Sequence, residues 1–251
     1  MTRRRFYAPP SAFSADSGSV YLASDEARHL RDVLRLQHGD QVYVFDGEGR
    51  EFHCAVEQSG RDSVQLNLLA EVEPAQPESH LDMTLAIALL KGEKFDLVVQ
   101  KATELGVTRI APIISERADV RLRDVKDASK RVARWQRIAL EAAKQSGRAR
   151  IPEVAEPVTF EALLAEKDSA LRVMFSEREG RSLKDAIESQ SLPKQPLIAL
   201  VGSEGGWSDE ELALARNAGW EIVTLSGRTL RAESAAIVVA TLLQHLLGDL
   251  K

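Results

Sequence analysis

The sequence predicts an α/β protein in which a mostly parallel, helix-covered sheet follows a small β-rich domain. Three observations carry this. Strand-like runs at residues 40–46, 51–58 and 64–72 are joined by the short turns Gly47-Glu48-Gly49 and Ser59-Gly60-Arg61-Asp62, as in an antiparallel meander or small barrel. Residues 74–80, with Pro74 and Pro77, interrupt both strand and helix. Beyond them the rhythm becomes strand, helix, strand, the order of parallel βαβ units.

In chain order, Ser24-Asp25-Glu26 opens a helix to Leu34, with Ser24 or Asp25 as its N-cap. After the linker at 74–80, residues 83–90 read as a strand. The next segment, 93–105, has apolar residues at 95, 98, 99, 102 and 105, which is helical spacing. Gly106 supplies its C-cap, and 107–114 returns as a strand. A basic helix is expected from about 126 to 145, with Arg131, Arg134 and Arg137 on one side and Trp135, Ile138 and Ala142 on the buried one. Strands recur at 171–175, 197–201 and 221–225, and an apolar helix covers 232–247. About five strands therefore form the large sheet. The domains expected are 1–73, a linker 74–80, and 81–251.

The 251 residues are 44% hydrophobic, enough for a substantial core. No run reaches the roughly 18 apolar residues of a membrane span. The basic start Arg3-Arg4-Arg5 lacks the apolar stretch of a secretory signal. Cys54 is the only cysteine, which rules out an intramolecular disulfide or a cysteine-rich metal cage. A soluble, cytoplasmic protein with no metal and no membrane contact is expected. The net charge of −5 is uneven: residues 91–150 hold 15 Lys+Arg against 8 Asp+Glu. Such a block is either a polyanion-binding face or a solvated helix surface.

The chemistry concentrates at two turns. "LVGSEGGWSDEE" places Gly202, Gly205 and Gly206 between a buried strand and a helix opened by the capping box Ser208-x-x-Glu211. Open α/β sheets bind ligands at the carboxyl ends of their strands. Glycines there allow close backbone approach, and helix N-termini favour anions. "LSGRTLRAESA" then puts two arginines and Glu233 at the entrance to an apolar helix, where charges need partners or a ligand. P-loop, GxGxxG, HExxH and GxSxG patterns are absent, which argues against nucleotide hydrolases, zinc enzymes and α/β-hydrolases.

These stretches occur in order with "ALLKGEKFDLVVQKATELGVTRIAPIISER" and "EAAKQSGRARIP". "RRFY" at 4–7, "HLRDVLRLQHGD" at 29–40 and "VFDGEG" at 44–49 accompany them. Together they resemble the RsmE-type 16S rRNA uridine-N3 methyltransferases of the SPOUT class along nearly the whole chain. The resemblance implies a trefoil-knotted, mostly parallel sheet with helices on both faces, preceded by a PUA-like β-barrel that holds RNA. It further implies a homodimer that binds S-adenosylmethionine in the knot and methylates N3 of one uridine in the decoding region of the small ribosomal subunit.

Residue by residue, the resemblance places the cofactor against Phe175, Ser176, Val201, Gly202, Glu204, Gly205, Gly206, Leu225, Ser226, Gly227, Leu230 and Arg231. Ser203 replaces the proline usual in "GPEGG", Ser226 the glycine of "LGxRxLR", and "ESA" the commoner "ETA". Uridine N3 carries a hydrogen, so it must lose a proton and the charge spreads to O2 and O4. Arg231 is the cation expected beside them, oriented by Glu233. The base stays open among Glu93, Glu204 and water. Because N3 lies on the pairing edge, the base must be unpaired or flipped out. Arg3, Arg4, Arg5, Arg28, Arg31, Arg35, Lys91 and Lys94 are the RNA-binding candidates, and the basic helix near Lys130 is another RNA-facing surface. Two rival readings are a SPOUT enzyme acting on tRNA and a non-catalytic RNA-binding assembly factor.

Overall fold

The computed structural model describes residues 3–15, 18–60, 62–166, 170–188, 196–225 and 227–251. The chain divides into two compact units, one of Met1–Glu78 with Leu140–Ile151 and one of Ser79–Ala139 with Pro152–Lys251.

The first unit holds β1 (Arg5–Tyr7), β2 (Ser19–Ala23), the short helix α1 (Ser24–Arg28), β3 (Gln41–Phe45), β4 (Glu51–Ser59) and β5 (Ser63–Val72). Its five-stranded sheet has the order β1-β3-β4-β5-β2. The expected meander β3-β4-β5 is antiparallel, β2 adds antiparallel to β5, and β1 adds parallel to β3. Alternate residues such as Val42, Val44, Cys54, Val64 and Leu66 fill one core with Phe6, Leu22 and Leu30. The expected helix to Leu34 differs in detail. It changes to π-helical winding at His29–Val33, and its N-cap is Ala23, with no side-chain cap. Ser24 instead takes a left-handed φ of 52°, and Asp25 bonds Arg28.

Proline breaks regular structure after β5, yet the segment is tied down. Ala75 N–H donates to the buried Glu51 carboxylate, and the buried Arg148 guanidinium pairs with Glu78 at 2.7 Å.

The second unit contains β6 (Met83–Ala88), α2 (Lys94–Glu104), β7 (Arg109–Ile114) and most of α3 (Val125–Ser146). It continues with β8 (Glu153–Val154), β9 (Val158–Thr159), α4 (Phe160–Ala165), β10 (Leu171–Phe175), β11 (Arg181–Ser182) and α5 (Leu183–Glu188). It ends with β12 (Leu197–Val201), α6 (Asp209–Asn217), β13 (Glu221–Thr224) and α7 (Ala232–Leu247). The sheet order is β11-β13-β10-β12-β6-β7-β8, with β9 beside β7, and every pairing is parallel. The five long strands are those expected. The two-residue strands β8, β9 and β11 are too short to leave a periodic signal.

Side chains alternate across each strand. Ile198 and Leu200 of β12 face a core with Phe160 and Leu163 of α4 and Leu212 and Ala215 of α6. The intervening residues of β12 point to the opposite face, where α7 packs on β12 and β6 and meets α2. Burial on both faces explains why these strands read as continuous apolar runs. Helix α2 ends as its sequence suggests: Gly106 has φ 81°, and Val107 and Gly106 donate to Ala102 and Thr103 carbonyls.

Candidate functional site

Parallel strands all present their carboxyl ends at one edge of the sheet. The loops after β10, β12 and β13 leave that edge and surround a cavity of about 540 Å³. Phe175 to Glu177 supply one wall and Val201 to Gly206 a second. Thr224, Leu225 and residues 227–232 form the third, and Ala235 and Val239 of α7 complete the lining. The residues assigned to the cofactor therefore meet in one space. The exception is Ser226, which lies outside the described residues. Ala235 and Val239 were missed from the sequence, although they continue from Ala232 at helical spacing along α7.

Trp207, also missed, fixes the arrangement. It is buried, and its Nε1 donates to the Phe175 carbonyl at 2.9 Å, joining the loops after β10 and β12. A Cβ at Gly202 would stand 3.1 Å from the indole, so glycine lets the chain pass this ring. A Cβ at Gly205 would come 2.8 Å from the Arg117 carbonyl. Gly206 needs a left-handed φ of 64°, a conformation other residues adopt at a cost. The glycines thus serve close packing of protein against the loop as well as the exposure of backbone to the cavity.

Ser203 adds a tie that proline would lack: its hydroxyl donates to the Arg117 carbonyl at 3.2 Å. The expected capping box is formed. Ser208 Oγ accepts from Glu211 N–H, and the Glu211 carboxylate accepts from Ser208 N–H at 2.9 Å. The other Glu211 oxygen accepts from Glu116 N–H at 3.0 Å, so one buried side chain secures both the helix and the loop after β7.

The charged rim departs from expectation. Glu233 does not orient Arg231; its carboxylate stands 3.6 Å from Lys94 Nζ. Among the described residues no carboxylate pairs with Arg231. Lys94, at the start of α2, also donates to Glu204 Oε1 at 2.7 Å. Burial is the largest influence on Glu204 and raises its pKa, but the bond from Lys94, a backbone hydrogen bond and the Lys94 charge together outweigh it and hold the carboxyl below its ordinary value. The same bond holds the Lys94 ammonium above its ordinary value, against partial desolvation.

Several RNA-binding candidates are engaged within the protein. Arg5 is largely buried on Glu51 at 3.0 Å, and Arg3 bonds Glu51 while lying over the Tyr43 ring. Arg28 pairs with Asp25, Arg31 with Asp32, and Lys91 with Asp119. Arg4 and Arg35 are exposed, and Arg35 has a left-handed φ of 53°. On α3, Arg131 pairs with Asp127 and Arg134 with Asp96, whereas Lys130 and Arg137 are exposed. No described helix is long and apolar enough to cross a membrane, and no described cluster of His, Cys, Asp or Glu is arranged to hold a metal.

Comparison with known proteins places this cavity in a context. An RNA methyltransferase domain model matches residues 77–244, and an RNA methyltransferase PUA domain model matches residues 22–69. Ribosomal RNA small subunit methyltransferase E of Synechocystis sp. is 34% identical over 250 residues, covering 98% of this chain and 78% of that protein. The crystal structure of the Neisseria gonorrhoeae ribosomal RNA small subunit methyltransferase E bound to S-adenosyl methionine superposes with a TM-score of 0.87 at 33% identity, covering 100% of both chains. A Legionella pneumophila methyltransferase in complex with the cofactor gives 0.85 at 32% identity, covering 99% of this chain and 100% of that one. The architecture is that of a SPOUT methyltransferase domain preceded by a PUA-like domain, and the chain belongs to the ribosomal RNA small subunit methyltransferase E family.

Proposed function

We propose that the protein transfers a methyl group from S-adenosylmethionine to N3 of one uridine in the decoding region of 16S rRNA, in the cytoplasm and as a homodimer. The observation that carries this reading is the convergence of three strand-end loops on one cavity of about 540 Å³. Its chemistry fits the cofactor. Val201, Leu225, Leu230 and Val239 offer apolar surface for a flat base, and the carboxylates of Glu177 and Glu204 complement a cationic ligand. Glycine-rich backbone supplies hydrogen-bonding groups without side-chain obstruction. The names of the relatives support small-subunit rRNA as the substrate.

The cofactor would supply an activated methyl group on a positively charged sulfur. The protein must hold the uracil in line and stabilise its N3 anion. Arg231 enters the lining at the N-cap of α7 with its guanidinium unpaired among the described residues, available to a uracil carbonyl. The first unit, with its PUA-like sheet, would hold the flanking RNA. Of the RNA-facing candidates singled out in the sequence, its exposed Arg4 and Arg35, together with Lys130 and Arg137 of α3, carry no ion pair among the described residues and are available for phosphate contacts.

Calorimetric titration with S-adenosylmethionine tests the cofactor half of this reading. One site per chain, weakened by a bulky residue at Val239, is the expected result. Absence of binding would leave the rival of a non-catalytic RNA-binding factor.

A further inference from the structure

The loop after β10 carries three charged residues in a row, Glu177, Arg178 and Glu179, and the last two are fastened to α6 and its approach. Arg178 Nη2 donates to the Trp207 carbonyl at 2.6 Å, and Nη1 donates to Asp209 at 2.8 Å. Glu179 pairs with Arg216, in the last turn of α6, at 2.5 Å. Gly180 then runs so close to β13 that an added Cβ would stand 2.7 Å from the Val223 carbonyl carbon. On the other side of Glu177, Trp207 Nε1 holds the Phe175 carbonyl. The chain is therefore tied down both before and after Glu177.

Glu177 itself lines the cavity, and its Oε1 lies against Gly206, 2.5 Å from where a Cβ on that glycine would stand. Among the described residues its carboxylate accepts no hydrogen bond. Its ion pair is with Arg178 Nε at 4.0 Å, and the two Nη atoms of that guanidinium are engaged elsewhere. The other carboxylate of the lining, Glu204, already accepts from Lys94 at 2.7 Å. Glu177 is thus the open acceptor of the cavity wall, and an ionised carboxylate makes the stronger kind of hydrogen bond. S-adenosylmethionine offers donors to such a group at its ammonium and at its ribose hydroxyls. We propose that Glu177 accepts a hydrogen bond from the cofactor, and that Arg178 positions it by fastening the loop after β10 to the turn after β12. This deepens the proposed function and rests on it.

A half-exposed glutamate beside an arginine is ordinarily a surface ion pair of little consequence. Two features set this one apart. Its partner is directed away, toward the Trp207 carbonyl and Asp209, and its carboxylate borders the same glycine turn that walls the cavity. Arg178 does not line the cavity, so it acts through Glu177. A loop fixed before the ligand arrives loses less freedom on binding, which favours affinity. The bond from Trp207 to Phe175 does not involve Arg178, so removing Arg178 loosens the loop at Glu177 and leaves that tie between the walls in place.

The test is calorimetry on the full chain with E177A, E177Q, R178A and the double variant E177A/R178A. The ligands are S-adenosylmethionine, S-adenosylhomocysteine, which lacks the sulfonium charge, and methylthioadenosine, which keeps the ribose but lacks the amino-acid portion as well. E177A should weaken the first two by about tenfold each, the effect of losing a hydrogen bond to a charged group. An equal loss for methylthioadenosine assigns the donor to the ribose, and an unchanged affinity assigns it to the ammonium. R178A should also weaken S-adenosylmethionine, yet change its affinity by less than about twofold once Glu177 is gone, a coupling that a merely structural contact would not give. Thermal melts check that each variant is folded, and E177Q, which removes the charge and keeps the side-chain shape, replaces E177A should the latter fail to fold. Affinity for S-adenosylmethionine within about twofold of the unaltered value in the Glu177 variants would overturn the proposal. So would a loss for S-adenosylmethionine with none for S-adenosylhomocysteine, or single-variant losses that simply multiply in the double variant. If instead the unaltered protein bound none of the three ligands, the functional reading itself would fail.

Discussion

The buried Trp207 indole hydrogen bonds the Phe175 carbonyl at 2.9 Å. One bond therefore couples the end of β10 to the glycine turn after β12. Replacing Trp207 with Phe removes the donor and leaves a buried acceptor unpaired, a loss of about 1–3 kcal/mol. Urea denaturation should show that loss, and calorimetry should show weaker S-adenosylmethionine binding. Unchanged stability and affinity would mean that the bond does not hold the two walls together.

The glycines after β12 should differ in their tolerance of alanine. At Gly205 an added Cβ meets the Arg117 backbone carbonyl at 2.8 Å, so a loop must move. At Gly206 the Cβ meets the Glu177 carboxylate, the end of a flexible side chain, and the principal cost is the left-handed φ. That conformation costs an alanine about 1–2 kcal/mol, and asparagine tolerates it better. G206N should therefore be more stable than G206A in thermal melts, while G205A should show the larger loss of cofactor affinity.

Glu211 should matter more than Ser208. S208A removes one capping bond, worth about 0.5–2 kcal/mol. E211A removes the return bond to Ser208 N–H and also strands the Glu116 N–H that it binds at 3.0 Å. Chemical denaturation should rank E211A below S208A. The reverse order would show that the loop after β7 does not depend on Glu211.

The Lys94–Glu204 pair sets a pH window. The Glu204 pKa is lowered on folding, so its contribution to stability is present above the ordinary carboxylate range, near 4.3 in model peptides, and is lost as pH falls through the lower folded value. The Lys94 pKa is raised, so its contribution is present below the ordinary lysine value, near 10.4, and is lost as pH rises through the higher folded value. Between pH 5 and 9 the pair should stay ionised. Comparing unaltered protein with K94A and E204Q, the stability difference should be flat across that range and diminish only outside it.

Cys54 lies fully buried on β4, and desolvation pushes its thiol pKa up to about 12. The thiolate is the reactive form, so the native protein should resist alkylation at pH 8 and react rapidly once unfolded. Mass spectrometry after iodoacetamide treatment checks this directly.

Much of the large sheet was legible because its long strands are largely buried on both faces, and because α2 ends at Gly106 and α6 opens with a capping box. Residues 171–175, 197–201 and 232–247 keep their expected bounds in the structure. The α1 cap was not legible, because the choice at Ser24 depends on how β2 enters the helix rather than on its serine. At the site, motif resemblance named both glycine loops. It could not name Trp207 as the bridge between walls, since an apolar-looking tryptophan beside a capping box carries no positional message. The partner of Glu233 was also hidden. Lys94 lies 139 positions earlier in the chain and meets it only because parallel strands align their ends.

The most direct test of the central claim is methyl transfer itself. Purified protein would be incubated with methyl-labelled S-adenosylmethionine and either small ribosomal subunits lacking the modification or bulk tRNA, and the labelled nucleoside would be mapped by mass spectrometry. The account predicts a single 3-methyluridine in the decoding region of 16S rRNA and no label in tRNA. Label confined to tRNA, or carried on another atom of the rRNA, would contradict it.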